Sequence, residues 1–196
     1  MPKVTEAYRE ARRDEIVAAA MRCFMARGFH RTSMADIIAD SGLSAGAIYG
    51  HFAGKKELVA AVATRVLEAR RSDLATRRHG GPPLAPADVL ATLIDGMRRE
   101  PLSVLLVQLW AEASIDEDVR DAVHGAYLTV RTTLEAAFAE WAAAEPGRVE
   151  GDPREWAARL APVAMAFMPG FMVLRTVAPD FDQDAYLATL PELLPR

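Results

Sequence analysis

Cysteine is nearly absent from this sequence, and its single occurrence at Cys23 excludes an internal disulfide. Beside Phe24 on the apolar side of an expected helix, that thiol reads as a small buried hydrophobe. Histidine is scarce and scattered, at His30, His51, His79 and His124, without the spacing that lets several imidazoles share a metal ion. No glycine-rich phosphate loop and no Ser or Cys nucleophile motif is present. The carboxylates of Asp116, Glu117, Asp118 and Asp121 read as a helix N-terminal turn that complements the backbone dipole. These gaps predict a protein that is not an enzyme and uses neither a cofactor nor a metal. β-Branched alternation is sparse as well. The chain is rich in Ala and Leu, and 51% hydrophobic residues over 196 positions suffice for a sizeable all-helical core. An apolar leader is lacking, since Lys3, Glu6, Arg9 and Glu10 interrupt the first residues, so a cytoplasmic location is expected. Residues 160–174 carry no charge. Pro162 and Pro169-Gly170 break that stretch, and it falls short of the roughly twenty residues that span a bilayer, so no membrane partner is expected.

Charge is present but unevenly placed. Residues 1–79 hold 14 Lys and Arg against 9 Asp and Glu, a net of +5, while residues 80–196 hold 9 against 18, a net of −9. A basic head on an acidic body suits a protein that brings one end to phosphates. Helical periodicity and the breakers predict a first helix over 8–27 with Ile16, Ala20 and Phe24 inward, and two short helices after it. A long helix over 55–78 follows, with Leu58, Val62 and Val66 inward, and ends at His79-Gly80-Gly81-Pro82-Pro83. Further helices are expected at 86–99, 102–114, 117–144, 153–177 and 183–194, with Pro101, Asp116, Pro146-Gly147, Pro153, Pro179 and Pro195 between or beyond them. The expectation is thus an all-α chain of nine helices.

Residues 28–58, GFHRTSMADIIADSGLSAGAIYGHFAGKKEL, carry the most specific pattern. Thr32 and Ser33 offer a cap, Met34, Ile37 and Ile38 an inward face, and Ser41-Gly42-Leu43 a tight turn. Ser44 caps the next helix, over 44–50, whose leading residues Ser44, Ala45, Gly46 and Ala47 are small. Small residues there let a helix backbone sit deep in a major groove, close to base edges. A surface helical hairpin uses the same turn residues, so the flanks decide.

Those flanks resemble the tetracycline-repressor (TetR-type) family of bacterial regulators. The matching residues are Ala20, Phe24, Gly28, Phe29, Thr32, Ser33, Ile37, Ala39, Gly42, Leu43, Ser44, Gly46, Ile48, Tyr49, His51, Phe52, Lys55 and Leu58, in order and at intact spacing over roughly residues 10–60. Gly50 departs from the pattern, standing where the family usually has a large side chain, often aromatic or basic. The resemblance implies a helix-turn-helix DNA-binding domain over 1–54 and a helical ligand-binding and dimerisation domain over 55–196. On this reading Tyr49, His51 and Lys55 contact phosphates, Thr32 and Ser33 add hydroxyl or amide bonds, and Ser44, Ala45 and Gly46 face the bases.

The apolar stretch at 160–174 needs cover on more than one side. In the family the last two helices of each subunit form a four-helix bundle at a two-fold axis. Trp156, Leu160, Val163, Phe167, Phe171, Leu174, Tyr186, Leu190 and Leu193 are the candidate residues for that homodimer interface. Met165, Met168 and Met172 share a helical face, and flexible thioethers often line pockets for varied apolar molecules. Gln108, Trp110, Glu112, His124, Tyr127 and Arg131 are the candidate aromatic and polar lining of the same effector pocket. The expected function is a one-component, ligand-responsive transcriptional regulator, a repressor whose partners are double-stranded operator DNA, a small-molecule effector and a second copy of itself. The competing reading is a helical small-molecule-binding protein without DNA binding, which Gly50 alone favours.

Overall fold

A computed structural model describes residues 5–99 and 103–196. The fold is all-α, with no strand among the described residues. The helical segments are α1 (Glu6–Arg27), α2 (Met34–Ser41), α3 (Ala45–Tyr49), α4 (Lys55–Arg78), α5 (Pro86–Arg98), α6 (Ser103–Ala113), α7 (Glu117–Ala143), α8 (Pro153–Met165), α9 (Phe167–Val177) and α10 (Gln183–Leu193). Among the described residues, nine helices result when α8 and α9, separated by Ala166 alone, are taken as one broken helix. The expected breaker Pro101 and the expected helix start at Leu102 lie outside the described residues.

Local chemistry sets most boundaries. Thr5 caps α1 by accepting from the Tyr8 amide, so the helix begins two residues earlier than periodicity suggested. Asp152 and Asp182 cap α8 and α10 in the same manner. The break at Ala166 falls one turn before Pro169. Proline there cannot donate to the carbonyl of Met165, and its ring crowds that carbonyl, so the regular helix stops and restarts. Together α8 and α9 run 25 residues, long and apolar enough by length and composition to cross a membrane, but the break leaves pieces of 13 and 11 residues.

The chain forms two compact units. One is Met1–Val66 with Gln108–His124, and the other is Leu67–Val107 with Gly125–Arg196. In the first, α1 packs on α2, and Ile16, Ala20, Phe24, Ile37, Ile48, Phe52 and Leu58 are buried. Cys23 is buried beside them, and burial pushes its thiol up from the ordinary value. In the second, α5 packs against α9 and α10, and Leu90, Ile94, Leu134, Phe138, Phe171, Met172 and Leu190 are buried. A separate small cluster joins Ala85, Trp141 and Ala142 to Val149 and Trp156.

Candidate nucleic-acid interface

The first unit presents a helix-turn-helix. Ser33 and Asp36 form a capping box at the start of α2. The Ser33 hydroxyl accepts from the Asp36 amide at 3.2 Å, and the Asp36 carboxylate accepts from the Ser33 amide at 2.9 Å and from the Ser33 hydroxyl at 2.6 Å. Arg27 pairs with the same carboxylate. Ser33 chiefly, with Arg27, holds the Asp36 carboxyl below its ordinary value. Gly42 ends α2 in the left-handed region, at φ 68 and ψ 10, which lets the chain turn tightly into α3. Ser44 caps α3 by accepting from the Ala47 amide at 3.2 Å.

On α3 only Ile48 is buried, while Ser44, Ala45, Gly46 and Tyr49 are exposed. A methyl group added at Gly46 would meet no heavy atom within 4 Å, so this helix offers a low, open face. Gly50 follows with ordinary right-handed helical angles and is also exposed. His51 is half-buried. Thr32 lies elsewhere than its expected role requires: it is 1% exposed, and its hydroxyl donates to the carbonyls of Gly28 and Cys23 at 2.8 and 3.1 Å. Lys55 is half-buried and turned inward, its ammonium donating to the Phe29 carbonyl at 3.0 Å and lying 4.2 Å from the centre of the Phe29 ring. Burial lowers its pKa, and the nearby Glu112 charge opposes that shift. Other cations of this unit are internally paired: Arg22 with Asp40, and Lys56 with Asp116 and Asp118.

Residues 16–62 match the model of a family described as bacterial regulatory proteins, tetR family. The solved structure of Salmonella enterica GusR is similar along nearly the whole chain, at 26% identity, with 97% of this chain and 96% of that one covered and a TM-score of 0.72. Residues 16–62 thus carry the tetR-family domain. The transcriptional regulator TtgR of Pseudomonas putida is 44% identical over 62 residues, 32% of this chain and 30% of that protein. That match spans less than a third of the relative's length. A putative transcriptional regulator from Saccharomonospora viridis, solved in complex with choline, shares the fold at 22% identity and a TM-score of 0.68, with 94% of this chain and 95% of that one covered.

The expected pocket and interface residues separate into distinct groups. Of the pocket set, Gln108, Trp110, Glu112 and His124 belong to the first compact unit, and Tyr127, Arg131, Met165, Met168 and Met172 to the second. Gln108 accepts from the Phe29 amide at 2.9 Å, and Glu112 lies 3.2 Å from His30. Their polar groups are thereby engaged at the turn after α1. Arg131 pairs with Glu135 one turn along α7 at 2.7 Å, and Met172 accepts from the Ser103 hydroxyl at 3.1 Å. The three methionines are buried, whereas Tyr127 is exposed. A surface groove of about 630 Å³ lies instead along Ala136, Ala139, Glu140, Ala143, Asp152, Pro153 and Arg154.

The interface set divides by burial. Phe171 and Leu190 fill the interior of their own unit, where Phe171 meets Phe181 and Tyr186 edge-on at 5.5 and 5.4 Å. Trp156 packs on Trp141, and the Tyr186 hydroxyl donates to the Phe167 carbonyl at 2.8 Å. Val163, Leu174 and Leu193 are exposed, with Leu160 and Phe167 half-buried. Val173 and Val177, which periodicity alone did not single out, are exposed as well.

Proposed function

We propose that this chain is a one-component repressor. It holds an inverted-repeat operator as a homodimer and releases it when a small, largely apolar effector binds its C-terminal domain. The observation that carries the reading is α3, a capped helix whose exposed leading residues Ser44, Ala45 and Gly46 leave its backbone free to lie in a major groove. Base contacts come from that face, and phosphate contacts from Tyr49, His51 and Lys55 position it. The functional division follows the chain, with DNA binding in residues 1–54 and effector binding with dimerisation in residues 55–196. Dimerisation is supported by the exposed apolar side chains of Val163, Val173, Leu174, Val177 and Leu193, which a two-fold partner would cover. Effector binding is supported by the buried methionines of the second unit, whose flexible side chains re-pack around varied apolar molecules, and by the choline complex of the Saccharomonospora viridis relative. The site of action is the bacterial cytoplasm, where operator DNA is available.

The test is a shift and footprint experiment with duplex DNA from upstream of the protein's own gene. A protected inverted repeat, with half-sites about one helical turn apart or a multiple of it, is the expected result. Uniform, salt-sensitive coating of every duplex without a footprint would reduce the protein to a non-specific binder and overturn the reading.

A further inference from the structure

The turn between α1 and α2 is held by side chains from two other helices. The buried residue Phe29 has its amide bonded to Gln108 Oε1 of α6 at 2.9 Å and its carbonyl bonded to Lys55 Nζ of α4 at 3.0 Å. One turn along α6 from Gln108, Glu112 lies 3.2 Å from His30. The glutamine sits tightly against the backbone. A methyl group at Gly28 would come within 2.6 Å of Gln108 Oε1, and Gly28 itself stands at φ 79. A buried amide must find an acceptor, and here it is a side chain rather than a helix or strand partner. The same turn feeds α2, because the Thr32 hydroxyl bonds back to the Gly28 and Cys23 carbonyls just before the Ser33 cap.

Resting on the DNA-binding reading above, the geometry points to Gln108 as a positioning residue for operator recognition. It fixes the seat of α2, and through the helix-turn-helix that of α3, from α6. Gln108 cannot withdraw without leaving the Phe29 amide bare, so a displacement of α6 at this residue carries the turn with it or breaks the bond. In either case the groove-reading face is moved, while the net charge that supplies non-specific attraction to phosphates is unaltered.

Two variants separate this role from bulk packing. Gln108→Leu removes the acceptor at similar size, and Gln108→Glu keeps an acceptor oxygen. Amide exchange is measured at Phe29, across α2 and at the deep amides of α1. Binding is measured to duplexes that the wild type selects from a randomised pool and to poly(dI-dC). With Leu, the Phe29 and α2 amides should exchange about tenfold faster while α1 keeps its protection. Affinity for the selected duplexes should fall on the order of tenfold, with poly(dI-dC) binding unchanged. Glu should restore both. A Leu variant with wild-type exchange and selectivity, or a Glu variant as impaired as Leu, overturns the assignment. A wild type that selects no sequence sinks the DNA-binding reading, and the Phe29 and α2 exchange then still decides whether Gln108 fixes the turn.

Discussion

Lys55 illustrates how a single side chain carries two demands. Its ammonium is engaged with the carbonyl and ring of Phe29, and a phosphate contact requires it to share or exchange that partner. Lys55→Ala should weaken binding to all duplexes alike and flatten the salt dependence by about one unit of slope, read from affinities at several salt concentrations. An unchanged slope would leave Lys55 as a purely internal tie. At Gly46 the open space around the backbone makes the opposite test available. Gly46→Arg should fold normally yet lose operator binding, because bulk on the leading face keeps α3 out of the groove. Normal operator affinity in that variant would mean that α3 docks by another face. Asp36 predicts an acid sensitivity. Its carboxyl is held below the unfolded value, so its contribution to α2 is fully present above about pH 4 and is lost as pH falls through the depressed folded value. Protection of the α2 amides, measured against their intrinsic exchange rates, should therefore fall on acidification in the wild type and depend less on pH in Asp36→Asn, whose α2 is already loosened at neutral pH.

At the level of helices, legibility followed how local the cause was. The long helix α4 was readable over its full length because its start lies just after Gly54 and its end just before a Gly-Pro segment. The capped turn at Ser41-Gly42-Leu43-Ser44 was readable for the same reason: each residue's role depends on its neighbours in sequence. The sequence predicts breaks at Pro162 and at Pro169-Gly170; α8 instead runs on through Pro162, and the break falls at Ala166, because Pro169 disturbs the carbonyl four residues before it. What escaped the sequence depends on distant partners. Thr32 reads as an exposed cap, yet its hydroxyl faces carbonyls of the preceding turn. Gln108 and Glu112 read as polar pocket lining, and only the fold shows them engaged with Phe29 and His30, 79 and 82 positions away. Phe171 and Leu174 lie three residues apart on one apolar helix, and periodicity alone did not reveal that one faces the interior and the other faces out. That difference is itself testable. Phe171→Asp should abolish folding, since an unpaired charge in a closed core costs several kcal/mol. Val163→Glu, at a position 61% exposed, should give a folded protein that sediments as a monomer. A Val163→Glu dimer as tight as wild type would remove Val163 from the interface.

For the whole molecule, the proposed regulation requires an effector to bind two conformations unequally, and thermodynamic linkage then runs both ways. Saturating operator DNA should weaken effector binding by the same factor by which effector weakens DNA binding, typically about 5- to 150-fold. Titration calorimetry of an identified effector with and without operator measures this directly. Equal affinities would make the compound a passive occupant. The small cluster at the end of α7 also has an optical consequence. Trp141 and Trp156 lie with ring centres 5.8 Å apart at 30°, and the Arg148 guanidinium stands 4.7 Å from the centre of the Trp141 ring. Indoles this close couple their electronic transitions, so the second unit should give an exciton signal in circular dichroism that Trp110, the third tryptophan, does not share. The chain thus contains its own spectroscopic label on the body of the regulator, beside the Ala136–Ala143 groove and remote in sequence from the reading head.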